Sequence, residues 1–584
     1  MVKPTRTEHR SPWLWVPSLY YAEGLPYVIV MTVSVIMYKK LGISNTDIAL
    51  YTSWLYLPWV IKPLWSPVVD LFKTKREWIV FTQLIIGGGL ASVAVTLPSP
   101  HFFKITLLIF WLIAFNSATH DIAADGFYML GLTQHQQAWF VGVRSTFYRF
   151  AMLTGQGLLV ILAGLVESHS GLEAVPIKVH TTEQRQIHYV MDDTVLHQAN
   201  NDGKQRLLHA PDEVFISIRP LEASQYDSLM EVYHPSEQFS QKRHPTLGQK
   251  FVSNIGAVYF WLARQPGPGE EIIVQLGRKS GDKSFSLLEG SRLVFNEKNW
   301  NRPVPAIIQP DAKIGSKSSA LFIASAGNIR LSWVISIACL AVLFVFFFIY
   351  HRFILPYPPA DRPRAPEKIH IFLREFGNTF VLFFRKKKIG VILFFLLFYR
   401  FGEAQLVKLA APFLLDSQQV GGLGLTTGQV GFVYGTVGLL SLTIGGLAGG
   451  FLAARDGLKK WLWPMALAIQ LPDSVYVYLA HFQPENFAVV NACIAIEQFG
   501  YGFGFTAYML YMIHISEGEF KTAHYAIATG FMALGMMLPG MISGWIQELV
   551  GYRDFFMWVL FSTLPGLIVL FFLPLDDKFG KKSD

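Results

Sequence analysis

Long apolar runs recur along the chain, near residues 13–38, 48–70, 78–97, 104–130, 140–166, 331–355, 389–415, 427–452, 461–481, 487–514, 524–549 and 554–575. An α-helix rises 1.5 Å per residue, so about 20 apolar residues cross a hydrocarbon core of about 30 Å. The pattern predicts twelve membrane-spanning helices in an all-α polytopic membrane protein. Two polar stretches break the rhythm. Residues 168–327, between helices 5 and 6, are too long for a loop and predict a separate extracytoplasmic domain. Residues 271–276 and 291–295 alternate as strands do, with Gly and Pro turns between them, so a small mainly-β sandwich is expected there. Residues 356–388 open with Pro356, Pro358 and Pro359 and continue with amphipathic helical spacing from Ile369 to Phe376. This predicts a helix along the inner membrane surface that joins two halves. The expected divisions are 1–167 with helices 1–5, 168–327, 328–355 with helix 6, 356–388, and 389–584 with helices 7–12.

Composition narrows the class. Of 584 residues 52% are hydrophobic and 15% charged, and the mean hydropathy is +0.35, too apolar for a soluble enzyme of this length. The net charge of +8 does not imply a nucleic-acid partner, because the basic residues cluster in loops beside apolar runs and the lipid bilayer accounts for them. Lys73, Lys75 and Arg76, nine Lys/Arg from Arg352 to Lys388, then Arg455, Lys459 and Lys460, and finally Lys578, Lys581 and Lys582 alternate with short loops that carry few. The positive-inside rule then places both termini in the cytoplasm and 168–327 outside. Lys3, Arg6 and Arg10 before the first run imitate a signal peptide, but that run is of spanning length without a small-residue cleavage site, so it is expected to remain as helix 1. Cys339 and Cys493 both fall in apolar runs and indicate no disulfide framework.

The two halves repeat one another. Tyr21-Ala22-Glu23 in helix 1 matches Phe401-Gly402-Glu403 in helix 7, and 41–48 matches 423–430, each opening the next helix with a hydroxyl followed three residues later by Asp47 or Gln429. Asp70 before Lys73, Lys75 and Arg76 is echoed by 455–460 after helix 8. This acidic–basic loop resembles the one between helices 2 and 3 of the major facilitator superfamily. That resemblance implies a twelve-helix major facilitator fold of two six-helix halves, with a substrate site between them near the midplane.

Charges inside apolar runs are expensive, about 2.5–3.5 kcal/mol each on insertion scales, and mark candidate sites. Ser117 to Gly126 holds His120, Asp121 and Asp125. The two aspartates are four apart and share a helix face; His120 lies about 100° from Asp121. A short hairpin centred near His135 would set Asp125 opposite Arg144 and Asp121 opposite Arg149. A static brace and a proton-switched gate both fit those four residues. Glu23, ten residues into helix 1 and flanked by Tyr20 and Tyr27, falls at mid-bilayer; it is either a proton or substrate site or a structural carboxylate. Helix 7 offers Arg400, Glu403 and Lys408, the first two spaced to pair with each other. Helix 10 offers Glu497 and Tyr501. Glu23, His120, Asp121 and Asp125 are the candidates for proton coupling or gating. Tyr20, Tyr27, Arg144, Arg149, Arg400, Glu403, Lys408, Glu497 and Tyr501 are the candidates for substrate contact. Residues 277–284 imitate a phosphate-binding loop, but Asp282 interrupts its core. No metal or cofactor site and no catalytic residue is expected, so a gradient must supply the energy.

Tyr21-Ala22-Glu23-Gly24-Leu25-Pro26, Ile61-Lys62-Pro63-Leu64-Trp65-Ser66-Pro67 and Ala118-Thr119-His120-Asp121-Ile122-Ala123-Ala124-Asp125 resemble the AmpG-type muropeptide permeases, as do 522–526, Ser543-Gly544-Trp545 and Gly551-Tyr552-Arg553. The resemblance spans both membrane halves but not 168–327, and departs from those permeases at His120, where they tend to have Gln. It implies proton-driven import of anhydro-muropeptides, sugar–peptide cell-wall fragments, across a bacterial inner membrane. The wider family also holds acetyl-CoA transporters, which leaves that solute or another peptide- or drug-like one as an alternative. A further alternative is an envelope-binding protein whose helices are a degenerate anchor, with peptidoglycan or envelope contact through 168–327. Within that domain, the run from Leu293 to Asp311 resembles a strand pair of Calx-β or immunoglobulin-like domains.

Overall fold

The computed structural model describes residues 10–184, 186, 188–191, 204–233, 251–267, 272–282, 284–311, 313–314, 317–363, 369–484, 486–517 and 521–576. Lys3, Arg6, Glu271, Lys283, Lys578, Lys581 and Lys582 lie outside them. The chain forms two compact units, one of residues 1–164, 333–416 and 421–584, the other of residues 165–332 and 417–420.

The first unit is helical. Helix α1 (Val16–Val28) passes through a π-turn at Ile29–Val33, just after Pro26, into α2 (Ser34–Lys40). Ser44 caps α3 (Asn45–Trp54) by accepting the Asp47 N–H at 3.0 Å. The Asp47 carboxylate is too short to return to the cap backbone and takes the Ser44 hydroxyl instead, at 2.9 Å. The expected segment 48–70 is broken at Leu55–Tyr56, where Pro58 starts a new helix, α4 (Leu57–Leu71). Thr74–Glu77 and Thr133–Gln136 capping boxes start α5 (Lys75–Thr96) and α7 (Gln134–Met152) on either side of α6 (Phe102–Gly131). Helix α7 runs through a π-turn, Leu153–Leu159, into α8 (Val160–His169).

The second unit is mainly β, as expected. Its strands are β1 (Leu172–Thr182), β2 (Leu207–Ala210), β3 (Glu213–Ser217), β4 (Leu221–Glu222), β5 (Phe251–Val252), β6 (Gly256–Leu262), β7 (Ile272–Gly281), β8 (Phe285–Glu289), β9 (Arg292–Phe295), β10 (Val304–Pro310) and β11 (Ser319–Gly327). They form a five-stranded sheet in the order β3-β1-β11-β7-β9 and a four-stranded sheet β2-β6-β10-β8, with β4-β5 apart. Inward residues of both sheets, among them Ile177, Val258, Val274, Ile308 and Phe322, share one core, and α9 (Ala223–Tyr233) packs with Tyr226 and Tyr233 against Tyr259 and Ile307. First and last strands are antiparallel neighbours, Leu172 opposite Ala326, so the chain enters and leaves the domain at one place.

One expectation fails here. The strands of the run Leu293–Asp311 do not pair: β9 bonds to β7 in one sheet and β10 to β6 and β8 in the other. The turns between them, where Leu262 N–H donates to Trp300 O, carry the chain across the sandwich. The stretch 277–284 is the end of β7 and its turn into β8, with Gly281 at φ +95° and the Asp282 carboxylate accepting the Ser284 N–H at 2.9 Å. That bond, with one from Ser318, holds the Asp282 carboxyl below its usual range. The glycine serves a hairpin turn, not a phosphate cradle.

The chain returns through α10 (Ile329–Ile354), α11 (Ile369–Phe384), α12 (Ile389–Phe398) and α13 (Phe401–Leu415). A full Thr426–Gln429 capping box starts α14 (Thr427–Phe432), and a π-turn at Val433–Gly438 leads into α15 (Leu439–Asp456). Helices α16 (Leu458–Gln470) and α17 (Ser474–Phe482) are separated by a 3₁₀ turn at Pro472. Then come α18 (Phe487–Ile515), α19 (Lys521–Ser562), interrupted at Gly551 with φ +80°, and α20 (Leu564–Ile568). Among the described residues eight helices are long and apolar enough to cross a membrane.

Candidate functional site

Polar side chains inside the helical unit gather in two banks, one from each half. In the first bank, Tyr20, Glu23 and Tyr27 project from one face of α1. Gly24 permits this placement, because a Cβ there would lie 2.9 Å from Ala151 Cβ and 3.0 Å from Tyr148 O of α7. Asp125 receives Arg144 Nη1 at 3.1 Å and the Tyr20 hydroxyl at 3.1 Å, while the Arg144 guanidinium lies 4.5 Å from the Tyr20 ring centroid. The expected Asp125–Arg144 opposition is present.

The expected Asp121–Arg149 opposition is not. Asp121 accepts Trp59 Nε1–H at 3.1 Å and Lys62 Nζ at 3.5 Å, both from α4. A hairpin sets depth but not azimuth: Arg144 and Arg149 are five residues apart, about 140° around α7, so both cannot face α6. Arg149 instead points toward Gly446 of α15 in the other half, and makes no ion pair among the described residues. Glu23 is 7% exposed and its Oε2 has no hydrogen-bond partner among the described residues. Asp125, Asp121, Arg144 and Lys62 are the charges that act on it.

The second bank centres on α13. Arg400 grips Glu403 with two parallel bonds, Nε to Oε2 at 2.7 Å and Nη2 to Oε1 at 2.5 Å, as their spacing allowed. Arg400 Nη2 also donates to the Tyr501 hydroxyl at 2.9 Å and stacks 4.9 Å from Phe505. Lys408, 2% exposed, donates to Thr52 Oγ1 of α3 at 3.0 Å and lies over the Tyr56 ring at 5.1 Å. It therefore reaches across from one half to the other. Glu497 is buried and, among the described residues, accepts from its neighbour Gln498 alone, at 2.9 and 3.2 Å.

His120 belongs to a third arrangement. The Gln83 amide donates to His120 Nε2 at 3.0 Å, His351 Nδ1–H donates to Gln83 Oε1 at 3.0 Å, and the Ser18 hydroxyl meets His351 Nε2 at 2.9 Å. This buried chain ties α1, α5, α6 and α10 together within the first half. Replacing Gln83 by Leu strands two buried imidazoles, at about 1–3 kcal/mol for each unmet group. A lower midpoint of thermal unfolding, followed by intrinsic fluorescence in detergent, is the expected result; a wild-type midpoint would remove the chain's bracing role. Thr52, Gln83, His351 and the buried Asp473 are not among the sequence-predicted candidates, and Lys62 figures there only within a family motif. A polar residue inside each apolar run was the available signal.

The halves touch closely at one end. Asp416 binds Lys39 at 2.7 Å and the Tyr552 hydroxyl at 2.7 Å; Asn45 donates to Gln547 at 2.6 Å; and the Thr46 hydroxyl donates to Glu548 at 2.7 Å. Gly157 and Gly435, in the π-turns after α7 and α14, meet backbone to backbone. Toward the other end the Asp125 and Arg144 side chains remain 41% and 33% exposed. The two halves are thus tied together at the Lys39–Asp416 end, while the Asp125–Arg144 pair is the more exposed of the two.

The BT1 family profile matches residues 23–167 and stops where the β-rich insertion begins. A protein called AmpG 4 from Rickettsia conorii is 27% identical over 262 residues, 44% of this chain and 60% of that one. The anhydromuropeptide permease of Escherichia coli K12 is 27% identical over 188 residues, 32% of this chain and 37% of its own length. The chain thus spans about half the length of the curated relatives it matches. Among solved structures, a D-xylose–proton symporter matches 98% of this chain and 99% of its own with a TM-score of 0.52 at 10% identity. A single-residue variant of the nucleoside transporter NupG matches 95% and 97% with a TM-score of 0.52 at 12% identity. At such identities these establish the fold alone. By sequence the chain is similar over part of its length to AmpG-type permeases, and its fold resembles that of the xylose and nucleoside transporters.

Proposed function

We propose that the protein is a proton-coupled secondary transporter that imports cell-wall-derived anhydro-muropeptides across the bacterial inner membrane. Its twelve spans would form two six-helix halves, with both termini cytoplasmic and 168–327 periplasmic. The Lys39–Asp416 end then faces outward and the Asp125–Arg144 end inward. The observation that carries this reading is Glu23, a buried carboxyl with one oxygen unpartnered among the described residues and with Asp125, Asp121, Arg144 and Lys62 as the charges acting on it. A lone buried carboxylate is costly, so Glu23 is suited to gain a proton when the cavity closes around it and to release it when water enters. Asp121 and Asp125, held by Lys62 and Arg144, act as the inner gate. Arg149, Arg400, Glu403, Lys408, Glu497 and Tyr501, with Tyr20 and Tyr27, face the sugar–peptide. A peptide's carboxylates suit Lys408, an ammonium without a carboxylate partner among the described residues.

Uptake of labelled anhydro-muropeptide into proteoliposomes, driven by an imposed pH gradient, tests the reading. Glu23→Gln should abolish accumulation above equilibrium while leaving counterflow exchange intact, because exchange needs binding and rocking but no net proton movement. Accumulation equal to wild type would remove Glu23 from the mechanism. Asp121→Asn should slow exchange more than it weakens binding; a pure binding defect would place Asp121 in the substrate site instead.

A further inference from the structure

The β-rich unit carries a cleft that the transport reading leaves unused. It lies beside edge strand β3, between that strand, the segment after β1 and the start of β6, and has a volume of about 590 Å³. That is within the roughly 300–1,000 Å³ of ordinary small-molecule sites. Two aromatic rings flank it. Phe215 on β3 is 54% exposed, and Tyr189 is 42% exposed. Neither ring hangs free: Phe215 stacks on its cross-strand neighbour His180 at 5.4 Å and 24°, and Tyr189 meets the Tyr259 ring edge-on at 6.0 Å. Each ring is therefore held in place while part of its surface stays open to water.

The polar lining is equally ordered. Gln186 Oε1 accepts the Ser217 N–H at 3.0 Å and its amide donates to Ile255 O at 2.8 Å, fixing it across the cleft. Gln184 is exposed and anchored by its N–H to Thr182 Oγ1 at 3.2 Å. Glu213 has its charge already met by Lys178 Nζ at 3.3 Å and His180 Nε2 at 4.0 Å. The lining contains no Lys, Arg or His among the described residues, so nothing in it calls for an anion.

We propose that this cleft binds a neutral saccharide. Fixed aromatic faces carry a negative quadrupole that accepts the C–H faces of sugar rings, and amide, hydroxyl and carboxylate groups match ring hydroxyls as donors and acceptors. Among the described lining residues there is no cation for a phosphorylated or strongly acidic ligand, and the neighbouring Lys178 is already engaged by Glu213. A peptide adding to β3 as an extra strand finds the Ser217 N–H already taken by Gln186. The site is independent of the transport reading: it would hold a glycan whether or not the helices move solute.

The test is saturation-transfer NMR on the full-length protein in nanodiscs, with chitotetraose, maltotetraose and a proline-rich decapeptide as probes. Transfer to the ring C–H protons of a tetrasaccharide is expected, weakened at least tenfold by Phe215→Ala and by Tyr189→Ala, both surface changes. Leu288→Ala, on β8 and outside the cleft lining, should leave it unchanged. No transfer to either sugar overturns the proposal, as does transfer undiminished in both aromatic variants or lost in Leu288→Ala. Variant-sensitive transfer to the decapeptide in place of the sugars would assign the cleft to a peptide instead.

Discussion

Arg400→Met should lower the protein's stability more than any other single change in the cavity. Arg400 and Glu403 are 8% and 4% exposed and joined by two charge-assisted bonds, so removing the guanidinium leaves a buried carboxylate without its counter-charge. Breaking one partner of such a pair costs about 3–5 kcal/mol, whereas replacing both by neutral groups of similar volume is close to neutral. The double variant Arg400→Met with Glu403→Gln should therefore recover most of the lost stability. Thermal unfolding of the four proteins in detergent completes the cycle and reads the coupling directly. If the double variant is no more stable than Arg400→Met, the penalty comes from lost packing against Tyr501 and Phe505, not from the stranded charge.

Gly435→Leu should open the end of the bundle at which Lys39 and Asp416 tie the halves together. A Cβ at Gly435 would overlap Gly157 Cα and Gly157 N, and the atoms it meets are backbone, which cannot swing aside. The two π-turns must separate, and the contacts of Asn45, Thr46 and Asp416 lie at the same end. The readout is the labelling rate of Thr46→Cys by a membrane-impermeant maleimide, in a background where Cys339 and Cys493 are serine. An increase of about tenfold or more is expected. Gly450→Ala is the control, since a Cβ there meets nothing within 4 Å and should leave the rate unchanged. A wild-type rate in Gly435→Leu would mean that the helices yield elsewhere and the glycine contact does not hold that end together.

The same contrast between local and distant contacts explains what could be read from the residues alone. The Arg400–Glu403 pair was legible because it is a neighbour relation within one helix turn, and the hydroxyl caps at Ser44 and Thr426 for the same reason. Asp125–Arg144 was legible because a short hairpin brings equidistant residues to one depth. Asp121 was misassigned because its partner sits on another helix, 59 residues earlier, and azimuth decided between Lys62 and Arg149. His120 drew notice beside two aspartates, yet its hydrogen bond goes to Gln83, and through it to His351, 268 residues beyond Gln83.

What the sequence by itself determined is the one-dimensional part: an apolar helical protein, an inserted polar domain of alternating strands, and charges placed inside apolar runs. Length, hydropathy and periodicity are properties of consecutive residues, and the solvent imposes them before any tertiary contact forms. Tertiary structure decided which charges meet, at which end Lys39 and Asp416 tie the halves together, and that β9 and β10 lie in opposite sheets. Lys408 and Thr52 are 356 residues apart and hydrogen-bonded, a contact set by how the two halves pack and by nothing adjacent in the chain.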